Sequence, residues 1–185
     1  MNAPSIEFPE PLEVVSYNSA WPEIYAAERA QVLSVAPEFI EFEHIGSTAV
    51  PGLRAKPIID MMASVERLEG IESLVTHLNE LGYVLFETGM QNRFFLRKYP
   101  AEEQKFHLHI VEQSTWAERK ERLMRDYLRK HPDEAAEYGA LKDGLVDKYR
   151  HDSDGYTKAK TAFIQGVMDR ARAMLGLPSE DVWEN

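Results

Sequence analysis

The sequence predicts a mixed α/β fold that ends in helices, and three observations carry that expectation. Residues 58–65, IIDMMASV, form an apolar run of strand length broken only by Asp60 and Ser64. Three further strand-like stretches fall between residues 83 and 111, separated by glycine and polar turns. From residue 114 onward the signals are caps, helical spacing and breakers, with no strand pattern among them.

Taken in order, residues 1–11 hold three prolines and no periodicity, and read as a poorly ordered lead-in. Residues 12–17 predict a short strand. Ser19 is placed to cap a helix over 22–35, with Pro22 in the first turn where a missing amide costs little. Residues 39–45 alternate apolar and acidic side chains as a strand does, and Gly46-Ser47 ends the pattern. Pro51-Gly52 marks a turn, and Lys56-Pro57 leads into the strand at 58–65. Leu68, Ile71, Leu74, Val75, Leu78 and Leu81 recur at helical spacing, so 67–81 is expected to be a helix closed by Gly82. Residues 83–87 and 93–97 predict two strands joined through Gly89, and 105–111 a third. Ser114 or Thr115 would cap a helix to residue 129, with Thr115 and Glu118 spaced as a capping box. His131-Pro132 breaks it, and helices over 133–150 and 155–175 follow. Asp152-Ser153-Asp154-Gly155 looks like part of a calcium loop but lacks the later acidic ligand, so Asp152 reads as a helix cap. The expected organisation is one domain over 12–175, sheet and helices to 112 and helical from 113, with a tail at 176–185.

Composition narrows the function. With 21 Lys and Arg against 31 Asp and Glu the net charge is −10, which argues against a broad basic surface for nucleic acid. The absence of cysteine excludes disulfide and thiolate chemistry. No apolar run reaches the ~18 residues of a membrane span and no leader pattern opens the chain, so a soluble cytoplasmic protein without membrane partners is expected.

The chemistry concentrates in EHIGSTAVPGLRAKPIID, residues 43–60. Gly46 permits a tight turn, and Ser47 offers a hydroxyl and an amide to an anion. Asp60 is the anomaly: a carboxylate in an apolar strand needs a hydrogen bond, a cation or a metal, because a bare one costs several kcal/mol. It reads either as a ligand-facing group or as a structural one satisfied by the Gly-Ser turn or by Lys56. The string is no Walker loop, since Leu53-Arg54 follows the second glycine. Strand alternation puts Arg93 and Arg97 on one face, and Lys105, His107 and His109 on one face with Phe106, Leu108 and Ile110 behind them. With Lys56 these make a local positive basin for a phosphate or carboxylate ligand. His107-x-His109 can also reach one metal, with Asp60 adding an oxygen and Glu43 as a further participant. His44 alternates with Phe42 and reads as a packing residue.

The segment resembles the signature of the GrpB-like family, a branch of the nucleotidyltransferase superfamily. Trp21-Pro22, Arg93-Phe94-Phe95, His107-Leu108-His109, Arg125 to Arg129 with His131-Pro132, Tyr138 with Leu141-Lys142, and Tyr156-Thr157 with Lys160 fall in that family's order, covering residues 12–163. The resemblance implies a nucleotidyltransferase-like mixed sheet flanked by helices, and a nucleotide or other phosphorylated small molecule as ligand. It further implies phosphate contacts from Gly46, Ser47, Thr48, Lys56, Arg93, Lys160 and Tyr156, with Asp60, His109 and Glu43 in catalytic roles. Asp60, His107 and His109 would hold a divalent metal, magnesium or manganese, or zinc where the histidines ligate. The superfamily's second carboxylate is here Met62. That departure weakens two-metal nucleotidyl transfer to an acceptor and favours the alternative, a non-catalytic binding or sensing module. RNA modification is a third reading, disfavoured by charge.

Overall fold

Five strands form one mixed sheet in the computed structural model, which describes residues 11–89, 92–101 and 104–182. They are β1 (Phe42–Ile45), β2 (Ile58–Val65), β3 (Val84–Leu85), β4 (Phe94–Lys98) and β5 (Lys105–Glu112), in the order β1-β2-β5-β4-β3. Only β2 and β5 run parallel, with Asp60 beside His107 and Met62 beside His109. They are also the two longest, and sit centrally, where burial on both faces suits an apolar run. The edges are short, four residues in β1 and two in β3, which leaves little free ladder to pair with another chain.

Alternation along these strands sorts two faces. On one, Ile59, Met61, Ala63, Leu96, Leu108 and Ile110 pack beneath α1 (Trp21–Val35) and α2 (Glu72–Glu80) to make the main core. The other carries Glu43, Asp60, Met62, His107 and His109 and faces the C-terminal helices α3 (Lys120–Lys130), α4 (Pro132–Val146), α5 (Ser153–Ala159) and α6 (Thr161–Met174). Those helices share a second core with the loop after β1, through Val50, Leu53, Leu128, Tyr138 and Val167. A small third cluster joins Ile45, Met62, Val111 and Trp116.

The expected mixed α/β class is borne out, with β2 at its expected limits, and several element expectations need correction. Residues 12–17 make only a single bridge, Val15 to Ala55, because Pro57 lacks the amide that would extend a ladder. Ser19 is not the cap of α1: Ala20 holds that position with no side-chain cap, and Asn18 Oδ1 accepts from the Ala20 amide. The strand expected from residue 39 begins at Phe42. α2 begins at Glu72, not 67, because Gly70 turns at φ +78° and Glu112 Oε1 holds the Leu68 amide. Gly82 does end it. The 83–87 strand contracts to Val84–Leu85. In place of one helix from 114, a 3₁₀ turn at Gln113–Glu118 precedes α3. The Thr115 hydroxyl donates to the Glu112 carbonyl and accepts from Arg119 Nε, so no capping box forms. The helix expected to residue 150 stops at Val146, and the last expected helix is two, broken at Lys160. Asp152 caps α5 by accepting from the Gly155 amide at 2.8 Å. Residues 1–10 of the expected lead-in and 183–185 of the tail lie outside the described residues. Among those described, no helix is long and apolar enough to cross a membrane.

Candidate functional site

The register of β1 on β2 sets Ile45 opposite Asp60, so the turn after β1 closes directly against that carboxylate. Gly46 makes the approach at φ +71°; a Cβ there would stand 2.6 Å from Asp60 Oδ2. No other residue fits both the conformation and the contact. A 3₁₀ turn at Ser47–Ala49 follows, held from α3 by Arg129 Nε donating to the Ala49 carbonyl at 2.8 Å, and Arg125 Nη1 donates to the His44 carbonyl at 2.7 Å. Thr48 points inward, with Oγ1 2.9 Å from His44 Nε2, and donates to the Ile58 carbonyl. Burial pushes the His44 imidazole down to about 4, so it is a neutral packing group stacked on Tyr25.

Asp60 Oδ1 accepts from His107 Nδ1 at 2.9 Å. Burial would raise its pKa, but the His107 hydrogen bond and the electrostatics of His107, His109 and His44 together outweigh that and keep it below the usual carboxylate range. His107 Nε2 meets the Tyr99 hydroxyl at 2.6 Å. His109, two residues on, lies against Phe95 with ring centres 4.7 Å apart and its Nδ1 3.5 Å from Arg93 Nη1. Burial pushes it down to about 4 as well. Arg93 itself is buried in an ion pair with Glu121 at 2.6 Å. Glu43 is turned to α3, paired with Arg122 at 2.8 Å and Arg125 at 2.6 Å. Among the described residues no three His, Asp or Glu side chains converge as a metal cluster. With Met62 wholly buried and Glu43 ion-paired, the donor set does not fit the two-carboxylate metal centre of nucleotidyltransferases.

Three lysines converge on the other side of the turn. Lys56 Nζ lies 4.7 Å and Lys160 Nζ 4.2 Å from the centre of the Tyr156 ring, and among the described residues neither forms an ion pair. Lys160 reaches this place because it sits at the break between α5 and α6. Lys142 on α4 donates to Ser47 Oγ at 3.0 Å and to the Arg54 carbonyl. Burial, and then the neighbouring lysine, lower Lys160 to about 8 and Lys142 to about 7; burial lowers Lys56 too. The structure thus brings Gly46, Ser47, Lys56, Asp60, His107, Tyr156 and Lys160 together, and sets Glu43, Arg93, Thr48 and His109 in separate bonds. Lys142 and Tyr99 were not singled out from the sequence as site residues. A signal for Lys142 existed: Tyr138 and Lys142 repeat the four-residue spacing of Tyr156 and Lys160, and Lys142 Nζ lies 4.5 Å from the centre of the Tyr138 ring.

A sequence model of the family described as GrpB protein matches residues 11–170. The UPF0157 protein YqkA of Bacillus subtilis is 33% identical over 163 residues, 87% of this chain, which spans only about half (47%) of that relative's length. A UPF0157 protein of Pseudomonas aeruginosa is 35% identical over 167 residues, covering 88% of this chain and 68% of its own. The crystal structure of the conserved protein GrpB from Enterococcus faecalis superposes with a TM-score of 0.80 at 34% identity, over 89% of this chain and 99% of that one.

Proposed function

The chain belongs to the GrpB protein family, and from that premise we propose that it binds a phosphate-bearing small molecule, a nucleotide first among them, between the Gly-Ser turn and the C-terminal helices. The observation that carries the reading is the pair Lys56 and Lys160, two half-buried ammonium groups over one tyrosine ring with no ion-pair partner among the described residues. Removing such charges from water without a counter-ion is costly, and an anion seated between them offsets that cost. Lys142 and the Ser47 hydroxyl border the same space. The Tyr156 hydroxyl, buried without a hydrogen-bond partner among the described residues, adds a donor. Gly46 brings the backbone close enough for the turn's amides to serve a phosphate. Met62 favours binding over two-metal nucleotidyl transfer, because the position of the second carboxylate is a packed methionine.

Thermal unfolding with ATP, GTP, CTP, UTP and inorganic pyrophosphate, each with and without magnesium or manganese, tests the reading. A ligand at 100 times its Kd stabilises by about 2.7 kcal/mol, so a shift of a few degrees is expected for at least one of them, and its loss in Lys56→Met with Lys160→Met. No shift with any of the five, under either metal or none, overturns it.

A further inference from the structure

A line of three hydrogen-bonded groups, Asp60, His107 and Tyr99, is not used by anion binding. Asp60 is held as a carboxylate and can only accept, so His107 Nδ1, 2.9 Å away, carries the proton of that bond. With that proton on Nδ1, Nε2 faces the Tyr99 hydroxyl at 2.6 Å as an acceptor. The imidazole is fixed on both sides, stacked on Tyr99 at 5.7 Å between ring centres and edged by Phe95 at 5.0 Å. Tyr99 is 39% exposed, whereas Tyr83, Tyr138 and Tyr156 are buried. It is therefore a phenol within reach of both a base and solvent. Lys105 Nζ and Arg97 Cζ lie 5.6 and 5.9 Å from its ring centre, where they favour negative charge on the oxygen.

We propose that Tyr99 is a nucleophilic phenol, the site at which this chain accepts a phosphoryl-type group, with His107 as its base and Asp60 as the residue that orients the base. The arrangement follows the logic of a nucleophile, a base and an orienting carboxylate. An unassisted phenol titrates near 10 and is a poor nucleophile at neutral pH. In the step, Tyr99 Oη forms a bond to phosphorus and its proton passes to His107 Nε2. The bond from phosphorus to the leaving oxygen breaks, and the leaving group departs with that electron pair. Asp60 stabilises the resulting imidazolium, and nothing is oxidised or reduced. The phosphorus class of the electrophile rests on the anion-binding reading above; the activation of the phenol does not.

The test uses the full chain and diethyl 4-nitrophenyl phosphate, an uncharged triester that needs no lysine basin. One equivalent of 4-nitrophenol is expected to be released, with a diethylphosphoryl adduct on Tyr99 found by peptide mass spectrometry. His107→Gln slows labelling by about a hundredfold, Asp60→Asn slows it without removing the base, and Tyr99→Phe, folded by its melting curve, abolishes it. An adduct elsewhere, no adduct, or labelling at the wild-type rate in His107→Gln and Asp60→Asn overturns the inference. A nucleotide-dependent thermal shift without any Tyr99 adduct sinks this proposal and leaves the binding function standing.

Discussion

Around Glu43 one face of the sheet is closed. Arg122 and Arg125 from α3 neutralise the carboxylate, and Ile45, Met62, Val111 and Trp116 pack beside it. Around Asp60, two strand positions away on the same face, no arginine of that helical layer pairs with the carboxylate among the described residues. The carboxylate has a histidine, a glycine turn pressed on it, and lysines that form no ion pair among the described residues. Both halves began as an acid on a strand. What separates them is whether the covering helix brings a matched charge. Where it does, the pair is structural; where it does not, buried charge is left that a ligand can complete.

The comparison predicts its own failures. Met62→Asp places a second carboxylate two residues after Asp60, but inside the closed apolar cluster, and is expected to cost about 4 kcal/mol or more in urea unfolding. A neutral result would mean that the closed half is not closed. Glu43→Ala leaves two arginines without their acid; allowing for its partial exposure, about 2 kcal/mol of stability is expected to be lost. The nucleotide-dependent shift should persist in that variant, and its disappearance would move Glu43 into the site.

Raising the pH separates the halves in another way, since arginines keep their charge while Lys142 and Lys160 titrate near 7 and 8. These folded-state values lie below those of the unfolded chain, near 10.5, so between them the unfolded state binds more protons and stability rises with pH. The penalty for the buried charge is fully present below pH 7 and is relieved on the way to 10. Affinity for pyrophosphate should fall over the same range, by about tenfold between pH 7 and 9, as titration calorimetry would show. Affinity that stays flat would mean that these lysines do not hold the anion. Lys160→Met is the mildest change: unliganded stability should stay level or rise by up to about 1 kcal/mol, while pyrophosphate binding weakens about tenfold. A marked loss of stability would place Lys160 with the structural charges.

Much of this was legible before any coordinates. Residues 58–65 read as a buried strand because they are apolar on both faces, and His107 and His109 were sorted from Leu108 and Ile110 by alternation alone. Helix starts were less legible. Gly70 and the Glu112 bond to Leu68 displaced the start of α2, and Thr115 gave its hydroxyl to Glu112 and Arg119 in place of a cap. Each is a competition between a local pattern and a distant partner. Lys142 lay 95 residues from Ser47, and its spacing from Tyr138 was the one local hint.

Family, fold class, the Gly46 turn and the Asp60 anomaly were thus written in local residue order, because strand alternation and glycine conformation act over a few residues. Which acids are neutralised, and which cations have no ion-pair partner among the described residues, was settled by packing. The energy of a charge depends on what lies within a few ångströms of it, and here those neighbours arrive from helices 79 to 95 residues further along the chain.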